Sequence, residues 1–90
     1  MTARARVFFS GKVQGVYFRA HTEKKARSLG IRGWVRNVDD GRVEAVFEGP
    51  KEVVEETIEY CRNHQPYARV EEANVAWEDP RGEGEFAIER

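Results

Sequence analysis

The run Gly11-Lys12-Val13-Gln14-Gly15-Val16-Tyr17-Phe18-Arg19 has the residue types of an anion site. Its two glycines let the backbone turn so that successive N–H groups converge. A helix starting at Phe18 would add the orphan donors and positive dipole end of its N-terminus. Arg19 would then stand where its planar guanidinium can grip two phosphate oxygens at once. The dipole disfavours a cation at that end, so an arginine there makes better sense with an anion beside it. A plainer reading is open too: the glycines shape a strand-to-helix turn and Arg19 is solvated, since short glycine motifs are common. Asn37 offers the same choice. It is either a turn residue bonding its own backbone or a carboxamide that holds a water near the anion.

Other chemistry is poorly supplied. Gly11 to Gly15 is too short for a Walker loop, and no Gly-Lys-Ser/Thr follows. Gly82-Glu83-Gly84 lies between two expected strands, so it is no dinucleotide fingerprint. Cys61 falls on an apolar stripe, where a thiol is inert, and no arginine follows at the spacing of a cysteine phosphatase. His21 is expected to be exposed, with a weak substrate contact left open, and His64 suits the negative end of a helix. Two lone histidines and one cysteine make no zinc site. Asp39 and Asp40 read as hairpin chemistry rather than a metal pair. Lys24, Lys25 and Arg27 read as a solvated helix face, and Trp34 and Trp77 as sheet packing. Lys12 can strengthen the local field for an anion.

The elements that must position these groups follow from periodicity. Ala5, Val7 and Phe9 alternate with Arg4, Arg6 and Ser10, which is strand patterning over 4–10 with Phe8 as the exception. Phe18, Thr22, Ala26 and Leu29 have helical spacing, and Gly30 ends that helix. Residues 31–37 read as a strand, Asp39-Asp40-Gly41 as a turn, and Val43, Ala45 and Phe47 as its hairpin partner. Gly49-Pro50 opens a second helix with Val54, Ile58 and Cys61 inward and acidic residues in its early turns; Gln65-Pro66 closes it. Residues 70–78 alternate again (Ala73, Val75, Trp77). Phe86 and Ile88 suggest a short last strand that returns toward the loop, bringing Arg90 and the terminal carboxylate near the site. The order β-α-β-β-α-β is the α+β ferredoxin-like pattern: two helices on one face of a mostly antiparallel sheet, here with an extra C-terminal strand. In that topology the first and second strands run the same way with the third between them. The loop 11–19 and Asn37 therefore share one rim, two strand spacings or about 10 Å apart.

Ninety residues predict a single domain, 1–90, with one core. Fifteen basic and sixteen acidic residues nearly cancel, which argues against a nucleic-acid partner, so any anion site must be local. An RNA-binding module stacking bases on Phe8 and Trp34 is the rival of a different class. No apolar run approaches the ~20 residues of a membrane span. Met1–Arg6 lacks the apolar segment of a secretory signal, and one cysteine fits the cytoplasm. The charged fraction of 34% suggests heat adaptation through ion pairs.

Gly-x-Val-Gln-Gly-Val-x-Phe-Arg at 11–19, with Gly-Trp-Val-Arg-Asn-x-x-x-Gly-x-Val at 33–43 and Gly49, resembles both signatures of the acylphosphatase family. The likeness spans nearly the whole chain in order and spacing. Phe9 departs from it, where an aliphatic residue is expected. The resemblance implies the ferredoxin-like fold and hydrolysis of the carboxyl–phosphate bond of acyl phosphates without metal or cofactor. By position, it implies that Arg19 and the backbone N–H groups of Gln14, Gly15, Val16, Tyr17, Phe18 and Arg19 bind the phosphoryl group, and that Asn37 positions the attacking water. The partners expected are an acyl phosphate and inorganic phosphate, on a monomer. A regulatory domain of this family would typically lack the arginine or asparagine; both are present.

Overall fold

A computed structural model describes residues 1–89. The elements are β1 (Thr2–Lys12), α1 (Phe18–Ser28), β2 (Arg32–Asn37), β3 (Val43–Pro50), α2 (Lys51–Asn63), β4 (Arg69–Glu78) and β5 (Ala87–Ile88). They form one five-stranded sheet in the order β4-β1-β3-β2-β5, antiparallel except where β5 runs parallel to β2. This is the ferredoxin-like arrangement expected from the sequence, extra strand included.

Alternation decides which face is covered. Ala5, Val7, Phe9, Ala45, Phe47 and Val35 point to the helices and are fully buried with Val54 and Ala26. Phe9 is absorbed without disturbance: its ring meets Phe18 at 5.1 Å. Phe86 lies just before β5 and stacks on Phe47 at 5.7 Å, fixing the last strand against the core.

The opposite face is a lattice of charges. Arg4 is 2% exposed and bonds Glu48, Glu78 and Glu83; Arg6 bonds Glu44 and Glu78; Arg36 bonds Glu44. Glu48 also accepts the N–H groups of Arg81, Gly82 and Glu83, so the chain after β4 is tied beneath the sheet.

Three sequence expectations need correcting. Trp34 is not simply packed in the sheet: it lies on the charged face between the guanidinium groups of Arg6 (5.7 Å) and Arg36 (5.5 Å). Trp77 is 45% exposed, because β4 is an edge strand; Lys51 lies over its ring. On α1, Lys25 covers the Tyr60 ring, and Arg27 donates to the Phe86 carbonyl and faces Glu23 and Glu85. Those residues fasten α1 to its neighbours rather than only meeting solvent.

Candidate active site

The sheet register brings the two halves of the site to one rim. Phe9 near the end of β1 and Asn37 at the end of β2 both pair with Val43 of the strand between them. At the end of β1 the pairing with β4 shifts at Ser10/Gly11, where Glu71 of β4 is the extra residue of a bulge, and pairing continues to Lys12. Gly11 is required there: a Cβ would lie 2.3 Å from the Arg69 carbonyl oxygen. The chain then passes through Gly15 (φ +75°) and Tyr17 (φ +61°, ψ +23°), both left-handed. Left-handed residues interspersed along a turn direct successive N–H groups to one side, which makes an anion nest.

Helix α1 begins immediately after Tyr17. Its first internal bond is His21 N–H to the Tyr17 carbonyl (3.0 Å), so the N–H groups of Phe18, Arg19 and Ala20 have no acceptor within the helix. No side chain caps this end, and its first turn holds no acidic residue. Arg19 lies in that turn, half-buried, with no carboxylate partner among the described residues. Every contribution to this end of the helix is thus positive, and no group of the described residues neutralises it.

A cleft of about 360 Å³ opens at this point, lined by Val13, Gly15, Tyr17, Phe18, Arg19, Ala20, Asn37 and Ile88. Arg19 and Asn37, 18 positions apart in the chain, therefore face one space, as the topology predicts. Nothing stands within 4 Å of the position a Gly15 Cβ would take, so this glycine serves its backbone angle. Chemically, such a cleft can hold a compact dianion on a guanidinium and amides, with a neutral carboxamide at its edge to orient a water.

The sequence of residues 5–88 matches the model of the acylphosphatase family. The chain belongs to the acylphosphatase family. It is 56% identical over 87 residues to the acylphosphatase of Natronomonas pharaonis, covering 97% of this chain and 95% of that protein. It is 54% identical over 81 residues to that of Roseiflexus sp., covering 90% and 87%. Among solved structures, acylphosphatase from Bacillus subtilis superposes with a TM-score of 0.93 at 34% identity, each chain covered in full.

Other residues singled out in the sequence of this acylphosphatase-family chain fall into distinct places. The Gln14 side chain donates to the carbonyls of Val38 (2.8 Å) and Arg42 (2.9 Å), clamping the loop to the β2–β3 hairpin; that leaves its backbone N–H for any anion. Val16 is buried and its side chain serves the core. Lys12 is exposed and outside the cleft. Asp40 accepts from the Arg42 N–H and guanidinium, as a turn residue. Burial pushes the Cys61 thiol up to about 11, beside Thr22. His21 is not exposed as expected: it is half-buried, its Nδ1 has no partner among the described residues, and its ring faces Tyr67. The α2–β4 loop that brings Tyr67 over it has no periodicity, so nothing in the sequence pointed there. Ile88 shows that the last strand does reach the cleft; Arg90 lies outside the described residues.

Proposed function

We propose that this chain hydrolyses acyl phosphates to a carboxylate and inorganic phosphate, using Arg19, the loop amides and Asn37. The observation that carries the proposal is the shared cleft: Arg19 and Asn37 open onto one space at an uncapped helix N-terminus. In the reaction a water oxygen forms a bond to phosphorus as the bond from phosphorus to the acyl oxygen breaks. The carboxylate leaves with the electron pair, and the water's proton passes to a phosphoryl oxygen.

Positioning and charge stabilisation are what such a loose transition state needs. Arg19 and the N–H groups of residues 14–19 hold the equatorial oxygens, and the Asn37 carboxamide orients the water. A carboxylate is a good leaving group, so no general acid is needed. The phosphoryl dianion accepts the proton, so no enzyme base is needed and the reaction runs without metal. Among the described residues no group of three or more His, Cys, Asp or Glu is gathered to hold an ion.

The same reading has the single unit 1–90 act as a monomer in the cytoplasm, without nucleic acid. Phe8 and Trp34, the rings an RNA would stack on, are covered by Arg42 (4.5 Å) and by Arg6 and Arg36. No helix of the described residues is long and apolar enough to cross a membrane. The test is hydrolysis of benzoyl phosphate by chelator-treated protein, with inorganic phosphate as inhibitor. Turnover without metal, competed by phosphate, is expected; turnover only after metal is restored contradicts the mechanism.

A further inference from the structure

Among the described residues Tyr17 alone, glycines apart, has a left-handed backbone (φ +61°, ψ +23°). A bulky side chain disfavours that conformation, and a helix ordinarily starts from an extended residue whose side chain caps it. Helix α1 starts from Tyr17 with neither. The loop nevertheless needs this angle to aim its N–H groups to one side. Such a conformation persists only where the surroundings hold it. Part of the hold is local: Val16 and Phe18, on either side, are buried in the core. The rest comes from another segment. Tyr67, on the α2–β4 loop, sets its ring edge-on to that of Tyr17 with centroids 6.3 Å apart, and lies 6.1 Å from the His21 ring. Tyr17 and His21 are one helical turn apart and are joined by the bond from the His21 N–H to the Tyr17 carbonyl. The Tyr67 ring therefore spans the first turn of α1, from a loop that supplies no residue to the cleft.

We propose that Tyr67 is a positioning residue for phosphoryl binding: its ring holds Tyr17 in the left-handed conformation that aims the loop amides before the anion arrives. This rests on the reading of the β1–α1 loop as the phosphoryl site. A ring pair of this geometry favours the held conformation by about two- to tenfold. A loop that is competent for only a fraction of the time binds its anion more weakly in proportion to that fraction. A bound dianion holds the same amides itself, so the ring governs affinity and not the rate of the bound complex. Tyr67 is 64% exposed, so its truncation opens no cavity in the core.

The test measures the Kd of inorganic phosphate, and the kinetics of acetyl and benzoyl phosphate, in the unaltered protein, Tyr67→Ala and Tyr67→Phe. It then repeats Tyr67→Ala on a Tyr17→Gly background. Tyr67→Ala is expected to raise the phosphate Kd and the KM of both substrates by one common factor, about two- to tenfold, while kcat holds. Tyr67→Phe keeps the ring and restores the affinity. Tyr17→Gly relieves the backbone of its strain and removes the ring that Tyr67 meets, so Tyr67→Ala adds nothing on that background. An unchanged phosphate Kd in Tyr67→Ala, a fall in kcat alone, a shift confined to benzoyl phosphate, or the same loss on the Tyr17→Gly background overturns the clamp. If the unaltered protein binds no phosphate, the reading of the loop falls and the clamp with it.

Discussion

Asn37 is exposed at the end of β2, and its carboxamide has no hydrogen bond to another described residue. Its replacement therefore leaves the fold's own bonds intact. Asn37→Ala is expected to lower kcat for benzoyl phosphate by about a hundredfold or more, comparable to losing an oriented catalytic amide. Inhibition by phosphate and the melting midpoint should hardly move; a near-normal kcat would refute the water-positioning role. Arg19→Ala is expected to lose both turnover and phosphate inhibition while the circular dichroism spectrum is retained. That Arg19 and Asn37 share one cleft was readable in the sequence because glycine spacing and a helix start bracket one, and a hairpin turn follows the other. The contact of Tyr67 with His21 was not, since it depends on where an irregular loop lands.

Two of the elements meet through one side chain. The Gln14 amide bonds both sides of the β2–β3 turn, so it ties the β1–α1 loop to the strand end carrying Asn37. Misplacing a reacting group by about 1 Å can cost a hundredfold in rate. Gln14→Ala is expected to lower kcat by about tenfold or more in the unaltered background and to cost little further once Asn37 is alanine. Additive losses in that double-mutant cycle would mean that Gln14 acts independently of Asn37. Element order was readable because Ala5-Val7-Phe9 and Phe18-Thr22-Ala26 have unmistakable periods. The alternation of Ala73, Val75 and Trp77 identified a strand correctly but not its burial: an edge strand keeps the pattern while losing the cover.

The whole molecule depends on the charged face of its sheet. Partners for Arg4 come from β3, β4 and the loop after it, so no local pattern could announce them. Burial works to raise the Glu48 carboxyl, but the N–H groups of Arg81, Glu83 and Gly82, together with Arg4, hold it below the usual range. Arg6 and Arg4 do the same for Glu78. Both carboxyls therefore bind protons less readily folded than unfolded. Their contribution to stability is complete above the unfolded value of about 4.5 and is lost as the pH falls through the lower folded values. The melting midpoint should hold from pH 7 to 5 and drop below 4.5; a flat profile to pH 3 would contradict this. Glu48→Ala takes the acceptor from three N–H groups and leaves Arg4 with Glu78 and Glu83, at a cost of about 1–3 kcal/mol for each N–H that water cannot reach. If this network serves heat adaptation, the midpoint at pH 7 lies above the roughly 45–65 °C of mesophile domains. The proposed chemistry requires a dianion where β1 ends and α1 begins. The most direct measurement is a titration of ¹⁵N-labelled protein with inorganic phosphate, following every backbone amide and the Asn37 carboxamide. The largest saturable shifts are predicted at residues 14–19 and Asn37, abolished in Arg19→Ala; shifts centred elsewhere, or unchanged by that substitution, would contradict it.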